Sequence, residues 1–238
     1  MITFDISQWR AWAPGLQTTA DWQRWSQDSQ AFAPTDQAPD VAFLPAMQRR
    51  RLSHLARMAF AVGWPLAEGL QDLPLVFVCR HGETPRTFAI LSDLAREQPL
   101  SPTQFSLSVH NAVIGLWSIM RGATCEMTAL AGAGDGFEHG VLEAAGLLHE
   151  GAPAVLLIVV EEYPPEAYRD RVHDVPFDYA LALLLTPGNT WTLTQQGAAT
   201  PTPGNDPHAL SWLRSLLTGQ SAFTHTWKRR SWTWRRKP

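Results

Sequence analysis

Three short apolar runs in the middle of the chain set the terms for its fold. "LPLVFVCRHGE" (73–83), "CEMTALAG" (125–132) and "APAVLLIVVEEY" (152–163) are too short for helices and almost free of charge. Each ends on a polar or small-residue turn. Runs of this kind read as strands buried on both faces, here 73–79, 125–131 and 154–160. Strands buried on both faces need helices above and below, and the intervening sequence supplies them. "RTFAILSDLAREQPL" is amphipathic and stopped by Pro99, "SVHNAVIGLWSIMRG" is apolar on most sides, and "FEHGVLEAAGLLHEG" closes on Gly151. Strands alternating with helices predict an α/β protein, with a layered mixed sheet between helices.

The flanks are less regular. Residues 1–5 read as a short strand, and 6–42 as loop with one short helix. Leu44, Met47, Leu52, Leu55, Met58 and Ala59 recur at helical intervals along "LPAMQRRRLSHLARMAFAVGWPLAEG", with a kink or an end at Pro65. Arg49–Arg51 form a basic run on that helix, read as a solvated face. "YALALLLTPGNTWTL" reads as a hairpin turning at Pro187, Gly188 and Asn189. "DPHALSWLRSLLTG" reads as a final helix with Asp206 as N-cap and Pro207 as its first residue.

Composition narrows the class. The 238 residues are 45% hydrophobic and 17% charged, which suits a globular core and not a disordered chain. Eleven Trp gather toward the two ends of the chain and read as covers for core edges or as an interface. Cys79 and Cys125 form neither a metal-ligand spacing nor a disulfide framework, which favours a reducing cytoplasm. The sequence shows neither a signal peptide nor a stretch of about 18 uncharged apolar residues, so no membrane insertion is expected. Net charge is −3, yet the last twelve residues, "WKRRSWTWRRKP", carry six basic groups and no acid. The division expected is one α/β domain, 1–226, and a basic, Trp-rich tail, 227–238. Such a tail suits nucleic acid, anionic lipid or an acidic protein, or is simply a solubilising end.

The turn "AGAGDG" (131–136), between the strand at 125 and the helix at 137, looks like a mount for a nucleophile or a phosphate. It holds no Ser, Cys, Thr or Lys. An anion cradle is opposed by Asp135, which sits at the helix start. A hydrolase using Asp135, with His81 or His110 as base, lacks the usual residues around the nucleophile. The third reading is structural: small residues allow close packing, and Asp135 caps the helix. His110 and Asn111 fall inside an apolar helix and read as a buried pair bonded to nearby backbone. His139 and His149 share no helix face, so no metal site and no cofactor are expected.

From "LSPTQFSLSVHNAVIGLWSIMRGATCEMTALAGAGDGFEHGVLEAAGLL" onward the chain resembles the β-ketoacyl-acyl carrier protein synthases. It is most like the short chain-length-factor-like subunits of aryl polyene-type type II polyketide clusters. The family's Ser-Pro pair and following helix correspond to Ser101-Pro102 and to Ser108, Asn111, Gly115, Ser118 and Ile119. Its active cysteine turn corresponds to Gly132–Gly136, with Ala133 in the nucleophile's place. The resemblance implies a thiolase-like half domain, truncated relative to full ketosynthases. Neither His208 nor His225 lies in the motifs that carry the family's catalytic histidines, so no catalytic residue is expected. It implies a noncatalytic subunit that pairs as a heterodimer with a full-length β-ketoacyl-acyl carrier protein synthase and shapes its acyl tunnel. Phe105, Leu107, Ser108, Val109, His110, Asn111 and Val113 are the implied tunnel and interface residues. Acyl carrier protein, and not nucleic acid, becomes the implied partner of Lys228, Arg229, Arg230, Arg235, Arg236 and Lys237. A homodimeric scaffold that binds carrier protein without a ketosynthase is the alternative.

Overall fold

The computed structural model describes residues 1–29, 32–197 and 207–237. Seven strands form one mixed sheet: β1 (Ile2–Trp12), β2 (Leu75–Val78), β3 (Met127–Leu130), β4 (Val155–Glu161), β5 (Tyr179–Gly197), β6 (Ala222–Trp227) and β7 (Arg230–Arg236). Their order is β3-β2-β4-β5-β7-β6, with β1 pairing along β5. The three apolar runs are the parallel part, β3-β2-β4, and every other pairing is antiparallel.

Helices cover both faces. Helix α3 (His54–Leu66) and α6 (Ala112–Arg121) pack on one side, against Leu75, Phe77, Leu156, Ile158 and Val160. On the other, α1 (Thr19–Gln27), α7 (Gly136–His149) and α8 (His208–Leu217) cover Val76, Val78, Leu157 and Val159. The alternation of β4 between the two cores explains why all seven of its residues are buried. Short α2 (Ala46–Arg49), α4 (Thr84–Ala95) and α5 (Pro102–Ser106) complete the helices, with a 3-10 turn at Glu166–Arg171. The α/β class and layered mixed sheet expected from the sequence are those observed.

Several elements differ from the sequence reading, each for a local reason. The N-terminal strand runs to Trp12, because β5 offers it a partner over its whole length. The helix expected from Leu44 breaks into α2 and α3, because the Ser53 hydroxyl accepts from the Ala56 N–H and starts a new helix there. Pro65 falls one residue before the end of α3. Helix α6 begins at Ala112, so His110 and Asn111 precede it.

The expected hairpin at Pro187–Asn189 is not a hairpin. β5 continues as one strand of 19 residues, and 187–190 bulge where the register with β1 shifts between Phe4 and Asp5. The Asp5 carboxylate fills the bulge: it accepts from the Thr190 N–H at 2.8 Å, and a Cβ on Gly188 would lie 2.0 Å from its Cγ. Pro207 stands at the N-cap of α8, and the proposed cap Asp206 lies outside the described residues.

The basic segment read as a tail is placed in the sheet. Its Arg230–Arg236 form β7, bonded to β5 on one side and to β6 on the other. Trp232 and Trp234 are 3% and 0% exposed, and Trp234 stacks on Phe137 and Phe223. Alternation along the strand turns both indoles inward and Arg235 outward; Arg230 shares the indoles' face and pairs with Asp135, and Arg236 is exposed at the strand's end. Trp234→Ala is therefore expected to lower unfolding free energy by about 3–5 kcal/mol, as for other buried Trp truncations. Chemical denaturation measures it, and a change below about 1 kcal/mol contradicts the core placement.

Candidate functional site

The turn from β3 into α7 is built by backbone contact. A Cβ on Gly132 would lie 2.3 Å from the Gly136 Cα, and the Gly136 N–H donates to the Ala133 carbonyl at 2.8 Å. Glycine is needed where two backbones approach this closely. Gly134 meets a different wall, since a Cβ there would lie 2.3 Å from the Trp227 ring at the end of β6. Behind the turn is a cavity of ≈ 40 Å³ lined by Ala133, Glu161, Tyr179, His208 and Trp227, among others. That is room for one or two water molecules and not for an acyl chain.

Asp135 neither caps α7 nor stands free as a nucleophile. It is fully buried and makes no cap bond. Its oxygens accept from Arg230 Nε at 2.5 Å and Nη2 at 2.9 Å, and from Trp232 Nε1 at 3.0 Å. Burial works against its charge, but these donors win and hold its pKa below the usual carboxylate value. The hydrolase reading fails on this geometry.

A second set of acids surrounds the cavity. Glu161, at the end of β4, accepts from the backbone N–H groups of Arg80 and His81 and from the Cys79 thiol. Burial nevertheless pushes its pKa up to about 7. Cys79 is raised well above the ordinary thiol value, first by burial and then by Glu161. Asp174 behaves oppositely. Although burial opposes ionisation, His81 at 3.2 Å and Arg80 at 2.5 Å pull its pKa down to about 2. Sequence reading missed Glu161, whose only signal was an acid closing the most apolar run. It also missed Glu138, fully buried in the first turn of α7 and bonded to His208 and His225.

The expected interface residues divide. Phe105 and Val109 are exposed by 67% and 47%, and Leu107 and Ser108 are half-buried. Asn111 is exposed and not half of a buried pair, because α6 starts after it. His110 is half-buried and donates from Nε2 to the Cys79 carbonyl at 2.6 Å. Val113 is 2% exposed and belongs to this chain's own core. Of the basic residues, Arg230 is engaged by Asp135. Lys228 and Arg229 are exposed at the β6–β7 turn, beside Trp227. Arg235, Arg236 and Lys237 are exposed at the far end of β7, about 20 Å away at the rise of a strand.

Comparison with known proteins fits this geometry. The family model described as beta-ketoacyl synthase, N-terminal domain, matches residues 22–235. A chain in the structure of the ketosynthase ApeO in complex with its chain length factor ApeC, from Xenorhabdus doucetiae, is 33% identical and superposes with a TM-score of 0.88. That match covers 99% of this chain and 100% of the other. The ishigamide ketosynthase/chain length factor (14% identity, TM-score 0.65) matches 83% of this chain and 68% of its own. A beta-ketoacyl synthase from Burkholderia phymatum STM815 (11% identity, TM-score 0.60) matches 85% and 67%. These two share the fold. No curated protein matches the chain.

The raised pKa of Glu161 has a measurable consequence. Its ordinary value is 4.5 and its folded value about 7, so between these the native chain holds a proton that the unfolded chain releases. Stability from this group is full below about pH 4.5 and is lost as pH rises through 7. Glu161→Gln keeps an acceptor for the backbone and removes the charge. Its melting temperature is expected to exceed that of the wild type at pH 8 by more than at pH 5. At 1.36 kcal/mol per unit the difference amounts to at most about 3 kcal/mol. A difference that does not vary with pH contradicts this assignment.

Proposed function

The chain belongs to the beta-ketoacyl synthase family through its N-terminal domain, and we propose that it is the noncatalytic, chain-length-factor-like partner of an active ketosynthase. One observation carries the reading: the two-way match to a chain from a ketosynthase–chain length factor complex, complete to 99% and 100%. The likeness extends over essentially the whole of both chains. The site supports the noncatalytic part. Ala133 stands at the turn, its methyl group cannot form a thioester, and the cysteines of the chain are at 79 and 125. The cavity behind the turn, with Trp227 in its wall, is too small for an acyl chain.

What the chain contributes is a surface. β3 ends the sheet order, with β2 on one side, and its four residues are all only partly buried. The segment leading into it exposes Phe105, Val109 and Ile119, the first and last by 67% each. An open strand edge and exposed large apolar side chains are each features of docking surfaces. We assign it to the ketosynthase, with Phe105, Leu107 and Val109 as the side chains that reach toward the partner's acyl tunnel. A misfit there of one methylene discriminates chain lengths by about 1–3 kcal/mol. Val113 is excluded from that set by its burial.

For the acidic carrier protein, the two ends of β7 are separate candidates. The turn with Lys228 and Arg229 is preferred, because it borders the site. Charge reversal of both is expected to raise the carrier's dissociation constant at 0.1 M salt and to have little effect at 1 M, where the Debye length falls from about 10 Å to about 3 Å. Fluorescence anisotropy distinguishes this from the same reversal at Arg235 and Arg236, which is expected to change little.

The pairing itself is tested by co-expression with a full-length ketosynthase from the same source and gel filtration. A heterodimer with an interface of about 2,000 Å² or more is expected. A stable homodimer that ignores the ketosynthase overturns the reading. Phe105→Glu is expected to abolish co-purification while leaving the melting temperature of the isolated chain within about 2 °C, since the side chain is largely exposed. Unchanged co-purification removes Phe105 from the interface.

A further inference from the structure

Away from the sheet edge, three side chains distant in sequence converge in the interior. Glu138 comes from the first turn of α7, His208 is the first residue of α8 and His225 lies in β6. Glu138 is 0% exposed and each histidine 8%. His208 Nδ1 lies 2.8 Å from Glu138 Oε2, and His225 Nδ1 lies 2.7 Å from Oε1. The two imidazoles stack at 4.4 Å between centroids and 23° between planes. Trp234 Nε1 donates to Oε1 at 3.4 Å and steadies the carboxylate from a third side. One ligand atom from each of the three residues lies within 4.8 Å of the others.

The protonation states of this cluster are constrained. Two imidazolium rings stacked face to face repel each other, and two neutral rings leave a buried carboxylate without a counter-charge. Either one proton is shared by the cluster or a cation replaces it. The donor set favours a metal: two imidazole nitrogens and one carboxylate form a ligand trio that zinc uses, leaving a fourth position for water. Imidazole-rich sites suit zinc, copper, nickel and iron, and the absence of thiolate separates this site from soft-metal clusters. The Trp234 indole supplies the outer-shell hydrogen bond that fixes a ligating carboxylate. At zinc–ligand distances of about 2.0–2.1 Å, tetrahedral neighbours stand about 3.3 Å apart. The two nitrogen–oxygen spacings, 2.8 and 2.7 Å, open by about half an ångström to reach this value, and the stacked rings tilt apart so that both Nδ1 atoms face one ion.

We propose that Glu138, His208 and His225 form a binding site for a single divalent transition-metal ion of the zinc class, which ties α7, α8 and β6 together. The proposal does not depend on pairing with a ketosynthase. Binding forms two metal–nitrogen bonds and one or two metal–oxygen bonds, and displaces water from the hydrated ion. The cluster's one excess proton passes to solvent, and each ring takes the tautomer with hydrogen on Nε2.

The test uses the full-length chain, stripped with a chelator and then titrated with zinc chloride. One zinc per chain is expected to survive desalting, with a raised melting temperature and one proton released into weak buffer. Cobalt(II) in place of zinc is expected to give visible d–d absorption of a four-coordinate ion and to quench Trp fluorescence. Glu138→Gln retains a hydrogen-bond acceptor between the rings and is expected to stay folded but to lose the ion and the cobalt spectrum. A wild-type chain that retains less than a tenth of an equivalent of zinc, and shows no cobalt absorption, overturns the proposal in favour of a shared proton. An equivalent of zinc that persists in Glu138→Gln overturns it too, because the ion then sits elsewhere.

Discussion

A carboxylate with no solvent exposure at the head of a helix has to find its counter-charge within the fold, and the head of α7 carries two. Asp135 takes both guanidinium donors of Arg230 and the indole of Trp232. Glu138, one turn further, takes His208, His225 and the indole of Trp234. These donors come from α8 and the β6–β7 hairpin; His139, on α7 itself, also lies 3.5 Å from Asp135. Removing Arg230 leaves the buried Asp135 carboxylate without its guanidinium partner and is destabilising. The last thirty residues of the chain and its central turn are therefore one electrostatic unit, and the hairpin's place in the sheet follows from it.

The same unit explains why an elaborate turn persists without a nucleophile. The glycines at 132 and 136 let the strand-to-helix connection close on itself, and Gly134 leaves room for the Trp227 ring. These are packing requirements of a layered α/β domain, independent of chemistry at position 133. What remains behind the turn is a pocket the size of a water molecule, edged by Glu161 near its midpoint of ionisation. At the other end of the sheet β3 has a free edge among the described residues, and Phe105 and Ile119 are exposed to solvent.

The parts of the fold legible in the sequence were those decided by local pattern. The runs that became β2 and β4 are apolar because both of their faces are buried; the run that became β3 reads the same way although it is an edge strand and only partly buried, and α4 and α7 declare themselves by periodicity. The parts that were not legible depended on a distant partner. "LLTPGNTW" has good turn chemistry, and what turns it into a bulge is Asp5, more than 180 residues earlier. Arg230 and Trp232 look like a solubilising tail until Asp135 is placed against them. The loss of the nucleophile could be seen at Ala133 through resemblance to a family, since nothing in the residues alone distinguishes a vacated mount from a tight turn. Glu138, His208 and His225 share no spacing, and only the tertiary fold brings them together.

The packing behind the turn belongs to the core and is not a gate. To enlarge the space behind it the hairpin would have to leave β5, carrying Trp232 and Trp234 out of the core and breaking both carboxylate networks. Two indoles of about 200 Å² each, at about 25 cal/mol per Å², account for roughly 10 kcal/mol. That figure is an upper bound on the hydrophobic part, yet it is already comparable with the whole stability of an ordinary domain, about 5–15 kcal/mol. Opening the hairpin and unfolding the domain are thus nearly the same event. A substrate that reached position 133 would have to do so from the outer side of the turn, where Ala133 is exposed but offers no reactive group. The turn at position 133 therefore offers neither a nucleophile nor room behind it for an acyl chain, and the interactions that fill that space are those that hold the hairpin in the sheet.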